Sequence, residues 1–317
     1  DSDEKIDVED IQDTIEKCLM DIDKDVAKAY IIYRNERAKA RDFKYNKEFY
    51  TTVLELLNGK KNDVSKENAN KDPRQFFTMR DLVAGETCKK LYKDFIMDKK
   101  LLKLHNKGVV HVHDLDYRAM KAMTNCCLLN LKDMLENGTC IQGKLIHDIH
   151  SLQVAVTVTT QIIAAVGSSQ YGGITINMSH LSPFVAKSKE KYEKIFSTLN
   201  DKDEWVEKFL RKEIVDSMQT FQYQLNSLTT TNGQSPFITV ACNTNDVDDE
   251  YKDYTALLIE EFLKQRIKGM EGPNGNNINP SFPKIVYILT ENNMEKDSKY
   301  YYLTDLAAEC TSKRMVP

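Results

Sequence analysis

Two adjacent cysteines, Cys126 and Cys127, lie inside a short apolar run from Thr124 to Leu131. A thiol can donate a proton and can be oxidised, so a thiol presented at a site can take part in acid or redox chemistry. A run of this length predicts a buried strand, in which successive side chains point to opposite faces. A disulfide between neighbouring cysteines strains the peptide and the S–S bond. The pattern therefore predicts one presented thiol with a packing neighbour, and the alternative is that both are small buried hydrophobes.

Two histidines precede this run in the alternating segment Val110-His111-Val112-His113, and Asp114 and Asp116 follow them. Alternation along a strand places both imidazole rings on the same face. A core strand has no need of two imidazoles on one face. We therefore predict that His111 and His113 face a functional site.

A third polar segment, from Thr229 to Phe237, contains Asn232, Gly233, Gln234 and Ser235. Asparagine and glycine accept a positive φ, and the Ser-Pro pair favours an extended chain. The segment therefore predicts a tight helix-to-strand junction that exposes amide and hydroxyl groups. Such junctions lie at strand ends, where α/β folds place ligands, although an ordinary turn is an equal alternative. The segment 168–173 has the same character before another strand.

The elements that must position these residues alternate between short β-branched runs and long helical periods, which predicts an α/β domain with parallel strands. We predict strands over Cys126 to Leu131, Ile174 to Met178, Phe237 to Cys242 and Lys284 to Leu289. Long helices are predicted over Ser151 to Gly167, Val206 to Leu228 and Ile259 to Ile267. Two further helices occupy the first ~40 residues, and a polar stretch near residue 60 predicts a boundary between units.

Composition excludes several classes of protein. The 317 residues are 41% hydrophobic and 29% charged with a net charge of −4, which is typical of a globular protein and suggests neither a nucleic acid nor a membrane as a partner. Seven cysteines without a CxxC pair favour a reducing, cytoplasmic location and no metal site in this chain. Dinucleotide-binding and P-loop motifs are absent from the sequence. The chain begins at Asp1 without a methionine, so we expect a fragment or a processed chain.

Six segments, taken together and in order, resemble the anaerobic, class III ribonucleoside-triphosphate reductases from about residue 66 onward. They are residues 66–72 (KENANKD), 111–117 (HVHDLDY), 124–127 (TNCC), 168–173 (SSQYGG), 231–237 (TNGQSPF) and 313–317 (KRMVP). The first helices are similar to the last part of an ATP cone. The resemblance implies an ATP-cone remnant at 1–45, a linker at 46–65 and the N-terminal half of the catalytic domain at 66–317.

The fold that this resemblance implies is a ten-stranded α/β barrel of the glycyl-radical enzyme type, of which the chain supplies the first half. The implied reaction replaces the ribose 2′-hydroxyl of a ribonucleoside triphosphate with hydrogen. Matched to the family, Cys126 is the second active-site cysteine, with Asn125 beside it. His111, His113, Asn232, Gly233, Gln234 and Ser235 are the implied substrate-binding residues. The thiyl cysteine, the glycyl radical and a four-cysteine zinc site lie beyond Pro317 in the family, so the chain alone is expected to be inactive.

The resemblance also implies regulation and partners. ATP, dATP and other nucleoside triphosphates are the implied effectors, although the nucleotide-contacting start of the cone is not in the sequence. The family often has Pro-Lys-Ser where this chain has Ile149-His150-Ser151, and we assign His150 and Gln161 to an effector site at a homodimer interface. The helix from Ser151 to Gly167 is apolar on more than one face, so Val156 and Ile163 are predicted to meet a second copy. A radical-SAM iron–sulfur activating enzyme and a reductant, formate or a thioredoxin-type protein, complete the implied partners.

Two other readings stay open at this point. Glycyl-radical acyltransferases and lyases share the barrel and can present adjacent cysteines, but segments 111–114 and 232–236 do not suit them. A regulatory ATP-cone protein without enzymatic activity is the other alternative. An Arg-x-Cys-Gly-Tyr-type segment near the end of the full gene product would decide for the reductase.

Overall fold

A computed structural model describes residues 7–59, 75–120, 126–169, 172–231 and 233–317. The chain divides into two compact units, Asp1–Asn62 and Asp63–Pro317. The first contains the helices α1 (Val8–Ile22) and α2 (Lys24–Leu57). Each helix begins at an aspartate, Asp7 or Asp23, whose carboxylate accepts hydrogen bonds from first-turn amides that have no partner within the helix.

One arginine joins α1 to α2. Arg34 of α2 forms ion pairs with Asp13 at 2.7 Å and with Glu16 at 2.8 Å, and it also pairs with Glu9. The three carboxylates share one face of α1, because they are spaced four and three residues apart. Since α2 continues to Leu57, residues 46–57 of the predicted linker are helical, whereas residues 60–74 lie outside the described part of the chain.

The second unit is of the α/β type. Its helices are α3 (Phe76–Leu91), α4 (Lys99–Asn106), α5 (Leu115–Arg118), α6 (Leu131–Glu136), α7 (Leu152–Gly167), α8 (Ser182–Ile195), α9 (Lys202–Ser227), α10 (Lys252–Lys268) and α11 (Tyr301–Arg314). Its strands are β1 (Cys127–Leu128), β2 (Thr139–Ile141), β3 (Lys144–Ile146), β4 (Ile174–Asn177), β5 (Ile238–Cys242), β6 (Met270–Glu271), β7 (Asn277–Ile278) and β8 (Lys284–Tyr287). The pairs β2–β3 and β6–β7 form small antiparallel hairpins.

The main sheet is parallel, with the strand order β1-β4-β5-β8. The prediction of an α/β fold with parallel strands is therefore confirmed. The first predicted strand is too long, because only Cys127 and Leu128 pair with β4. Asn130 ends the extended run by capping α6, where its side chain accepts a hydrogen bond from the Asp133 amide.

The two faces of the main sheet differ in burial. Alternate side chains of β4 and β5, among them Ile174, Ile176 and Val240, are fully buried in the hydrophobic core. On the other face, Leu128 is 82% exposed and Val286 is 47% exposed. Parallel sheets usually have both faces covered. This sheet differs, because the face that carries Leu128 and Val286 is open at these two residues.

The apolar helix α7 is buried largely by its own chain. Val156 and Ile163, which were predicted to meet a second copy, are completely buried in the core of this unit, so that prediction is wrong. Polar groups on α9 and α8 satisfy the start of α7: Glu213 accepts from the Gln153 amide at 3.1 Å, and Ser188 Oγ accepts from the Leu152 amide at 2.8 Å. Within the described ranges, no helix is long and apolar enough to cross a membrane.

Candidate active site

The register of the main sheet brings three of the predicted segments together at its amino edge. Cys127 pairs with Ile174 in β4, and Ile174 pairs with Ile238 in β5. Just before this row, the Cys127 amide donates to Gly173 O at 3.0 Å and the Ile174 amide donates to Phe237 O at 2.8 Å. Since neighbouring strands are about 4.8 Å apart, β1 and β5 are separated by about 10 Å. Ligands of open parallel sheets usually bind at the carboxyl edge, so the site lies at the opposite edge from the one that the general rule favours.

The two adjacent thiols have different surroundings. Cys127 is half-buried and packs against the hydrophobic core, whereas Cys126 is exposed. The other thiols that the core encloses are Cys242, whose pKa burial raises to about 12, and Cys310, whose pKa burial also raises. Buried thiols of this kind stay protonated and have no access to a substrate. The residue beside Cys126, Asn125, lies outside the described residues.

The polar junction before β5 is a tight, hydrogen-bonded turn. The Gly233 amide donates to Thr230 O at 3.0 Å, and the Thr230 amide donates to Gln234 O at 2.8 Å. Gly233 has a φ of +72°, as its residue type allows. Gln234 is only 4% exposed, so its side chain belongs to the interior of the turn, while Ser235 is half-buried. Asn232, the remaining predicted residue, is outside the described part.

Sequence reasoning missed Thr78 of α3, which contacts this turn. The Thr78 hydroxyl donates to Gly233 O at 3.0 Å, and Thr78 is completely buried. The two residues are 155 positions apart in the chain. Local sequence patterns carry no signal for a contact of this length, although the helical period of α3 indicates which of its residues share a face.

The rings of His111 and His113 are close to each other, but the segment from Val110 to His113 is not a strand. His111 Nε2 lies 3.3 Å from His113 Nδ1, and His113 Nε2 lies 3.3 Å from Asp114 Oδ1. The His105 ring lies tilted against that of His111, with 5.7 Å between the ring centroids, and its Nδ1 accepts a hydrogen bond from the Val112 amide. The alternation was therefore a wrong guide to secondary structure, because no neighbouring strand pairs with this segment in the described sheet.

The residues assigned to effector binding lie on the outer side of α7. His150 precedes the helix and Gln161 is within it, and both are exposed. Gln161 lies nine positions after Leu152, the first residue of α7, which corresponds to about 14 Å along the helix. The first amides of α7 are already occupied by Ser188, Glu213 and the capping hydroxyl of Ser151. These partners satisfy amides that otherwise make a helix start attractive to phosphate.

Nothing in the described ranges resembles a metal centre, because no group of three or more His, Cys, Asp or Glu side chains is arranged to hold an ion. None of the seven cysteines, all of which lie within the described ranges, forms a disulfide bond. The histidines near Asp114 lie within hydrogen-bonding reach of one another and close to that carboxylate.

A second polar cluster lies at the carboxyl edge of the sheet, where His180 follows β4 in the short turn Met178–Leu181. His180 Nε2 lies 4.0 Å from Asp246 Oδ2, and its Nδ1 is buried without a hydrogen-bond partner. Burial lowers the pKa of His180, as does Lys132, while Asp246 and Glu136 act in the opposite direction. Burial is the largest of these effects, so the folded protein favours the neutral imidazole.

We expect this imidazole to make stability depend on pH. Its pKa is lower in the folded state than the ordinary value of 6.5, so the unfolded chain binds the proton first and the stability falls as the pH decreases below about 6.5. His180→Gln should remove this contribution, so the wild-type stability relative to the variant should be lower at pH ~5.5 than at pH ~7.5. Thermal unfolding of the wild type and of His180→Gln at the two pH values measures this difference in stability. His147→Gln, at an exposed ring, is the control, and a difference independent of pH for His180→Gln would refute the expectation.

Comparison with known proteins identifies the family. The sequence model described as "Anaerobic ribonucleoside-triphosphate reductase" matches residues 67–317. The chain belongs to the anaerobic ribonucleoside-triphosphate reductase family. The model of the ATP cone domain matches residues 1–39. The family resemblance seen in the six sequence segments is confirmed.

Relatives of this reductase family match most of the chain. It is 38% identical over 274 residues to the anaerobic ribonucleoside-triphosphate reductase of Enterobacteria phage T4, with 83% of this chain and 43% of that protein covered. It is 37% identical over 321 residues to the protein of the same name from Haemophilus influenzae, with 99% and 44% covered. The chain therefore spans less than half the length of these relatives.

Solved structures of anaerobic ribonucleotide reductase from Thermotoga maritima share the fold. One, with MES in the active site, has a TM-score of 0.53 at 14% identity, with 88% of this chain and 48% of that chain covered. Another, with dATP bound in the specificity site, has a TM-score of 0.52 at 15% identity, with 82% and 44% covered. At such low identities the likeness establishes the fold and no residue roles.

Proposed function

We propose that the longer protein to which this chain belongs reduces ribonucleoside triphosphates to 2′-deoxyribonucleoside triphosphates for DNA synthesis, by a glycyl and thiyl radical mechanism. Family membership and the names of the relatives support the proposal. The activity is assigned to the longer protein, since the chain spans less than half of those relatives. The chain contributes the first half of the catalytic barrel.

The observation that carries the proposal is the exposed Cys126 thiol at the amino edge of a parallel sheet, two strand positions from the polar turn before β5. Its neighbour Cys127 packs against the core, so the pair presents a single sulfur. A reductase needs a thiol that can reach the ribose while the polypeptide around it holds the triphosphate. The amino edge of the sheet offers both kinds of group within about two strand spacings.

Cys126 is proposed to act as the acid and as a carrier of reducing equivalents. The ribose 2′-hydroxyl must receive a proton to leave as water, and the Cys126 thiol donates it. A reductant, formate or a thioredoxin-type protein, supplies the electron pair, and a hydrogen takes the place of the hydroxyl at C2′. Asn125 is proposed to assist beside Cys126.

Substrate binding is proposed for the histidine pair and the polar turn. His111 and His113 are placed near the sugar or the phosphates, because a protonated imidazole donates charge-assisted hydrogen bonds to phosphate oxygens. The hydroxyl of Ser235 provides a further donor, and Gly233, whose amide already donates to Thr230 O, is proposed to shape the turn. Gln234 is proposed to support the turn from inside, in accordance with its burial.

The rest of the catalytic machinery is proposed to lie in the part of the longer protein that the chain does not span. This part supplies the second half of the ten-stranded barrel, which would cover the open face at Leu128 and Val286. It also supplies the thiyl cysteine, the glycyl radical and the structural zinc site. A radical-SAM iron–sulfur activating enzyme is proposed to generate the radical. A cytoplasmic location is proposed, since no disulfide bond links the seven cysteines.

Regulation is proposed to use nucleoside triphosphates at two places. ATP or dATP is the proposed ligand of the ATP cone, of which residues 1–39 are a part. A second effector site is proposed at a homodimer interface, with His150 and Gln161 on the outer side of α7. Val154, which is 47% exposed, lies between them on the same side and replaces Val156 and Ile163 as the proposed dimer contact.

Activity of the full-length protein tests the function. After anaerobic treatment with the activating enzyme, it should convert a ribonucleoside triphosphate into its deoxy form, whereas the 317-residue chain alone should form none. Deoxynucleotide is quantified by chromatography, and electron paramagnetic resonance reports the glycyl radical. An activated protein that carries the radical yet reduces no ribonucleotide would refute the function. Turnover by the 317-residue chain would refute the proposal that essential catalytic residues lie in the rest of the longer protein.

A further inference from the structure

We propose that α3 is a positioning helix that holds the two substrate-binding segments of this chain, the turn 229–235 and the segment 111–117, at a fixed separation. Thr78 at one end of the helix and Asp81 and Gly85 in its middle make the contacts. The inference rests on the proposed function, which assigns substrate binding to both segments. None of the three residues is proposed to touch the substrate.

The first contact of α3 is with Gly233 of the turn, and it is close. Thr78 donates its hydroxyl proton to Gly233 O at 3.0 Å in a completely buried environment. A Cβ atom at Gly233 would lie 2.2 Å from Thr78 Oγ1 and 2.5 Å from a ring carbon of Phe77. The backbone of the turn therefore rests directly on the first turn of α3. The close packing sets the distance between Gly233 and α3, and the buried hydrogen bond sets the direction in which Gly233 O points.

The contact with the segment 111–117 lies further along the same helix. The Tyr117 hydroxyl donates to Asp81 Oδ2 at 3.0 Å. Gly85 allows the backbones to approach, because a Cβ atom there would lie 3.3 Å from Asp116 Cβ. The segment is thus anchored by a hydrogen bond at Tyr117 and by close packing at Asp116.

The spacing of these residues makes α3 a rigid connection. Positions 78, 81 and 85 are three and four residues apart, so they share one face of the helix. From Thr78 to Gly85 the helix rises about 10 Å, which fixes the distance between the segments. The segments have no direct connection in sequence, since more than a hundred positions separate them. Their relative placement therefore depends on a helix that carries none of the recognised motifs.

The test removes one hydroxyl from the full-length protein. Thr78→Val keeps the shape of the side chain but not its hydrogen bond, and it should raise KM for the ribonucleoside triphosphate about tenfold with a smaller change in kcat. Thr78→Ser should restore the wild-type KM, because it keeps the hydroxyl. Thr87→Val is the matched control in the same helix. The Thr87 hydroxyl donates to Val83 O of its own helix at 2.9 Å and, among the described residues, not to either segment.

Hydrogen exchange separates this inference from the proposed function, because it needs no activity. In Thr78→Val, backbone amides of the turn 229–235 should exchange faster than in the wild type, and in Tyr117→Phe those of the segment 111–117 should do so. Thr87→Val should leave both unchanged. A wild-type protein without reductase activity would refute the proposed function only. A folded Thr78→Val protein with wild-type exchange in the turn, or with a wild-type KM in an active enzyme, would overturn the positioning role.

Discussion

Cys126→Ser is expected to abolish deoxynucleotide formation by the full-length protein while the glycyl radical still forms. Serine is similar in size but is a far weaker acid and cannot be oxidised, so the 2′-hydroxyl loses its proton donor and its route to reducing equivalents. A loss of activity of at least about a hundredfold is expected from removal of a general acid alone. Chromatography of the deoxynucleotide together with electron paramagnetic resonance of the radical provides the measurement.

Cys127→Ser is the matched control, because the same substitution is made at the neighbouring position. Cys127 packs against the core, so its replacement should mainly destabilise the fold, by about 1 kcal/mol from placing a hydroxyl among apolar groups. Activity per folded molecule should be retained. An inactive Cys127→Ser protein beside an active Cys126→Ser protein would reverse the facing of the two thiols. Activity in both would make the pair structural.

Gly233→Ala is expected to cause the second large effect, on stability and on substrate binding together. Alanine at a φ of +72° costs about 1 kcal/mol or more. Its Cβ would also overlap Thr78 Oγ1 and the Phe77 ring, which adds about 1–3 kcal/mol of overpacking unless α3 moves away. We expect the free energy of unfolding to fall by about 3 kcal/mol and KM to rise, with denaturant titration and steady-state kinetics as the measurements.

Gly143→Ala separates the two causes. Gly143 lies in the turn of the β2–β3 hairpin with a φ of +74°, and nothing lies within 4 Å of the position of an added Cβ. This variant therefore has the backbone strain without the overlap, and it should lose only about 1 kcal/mol with no change in KM. Equal losses in the two variants would show that the contact between Gly233 and α3 has no energetic weight.

Local sequence features predicted the strands well where several β-branched residues follow a turn. The strand predicted from Ile174 to Met178 is observed as Ile174–Asn177, and the one predicted from Phe237 to Cys242 is Ile238–Cys242. The alternation at Val110 to His113 failed as a guide, because a strand exists only where a neighbour supplies hydrogen-bond partners. No pattern within four residues reports whether such a neighbour is present.

The apolar excess of α7 shows a similar limit. Its composition indicated correctly that more than one face is buried, but not what buries it. Val156 and Ile163 meet the core of their own chain, since α9 and α8 pack around the helix and bond its first amides. The residue types of a helix indicate which of its faces are buried. Which segment covers each face depends on how distant parts of the chain pack.

By itself, the sequence determined the α/β class, the family, the presence of an unusual thiol pair and the turn chemistry at Gly233, because each of these depends on residue types, their spacing and their order along the chain. The tertiary structure shows Cys126 exposed and Cys127 packed against the core, and it alone decided that three segments meet at the amino edge of the sheet. It also decided that α3 joins the turn at Gly233 to the segment at Tyr117. These contacts form between residues far apart in the chain, where the packing of the whole unit, rather than any local preference, sets which surfaces meet.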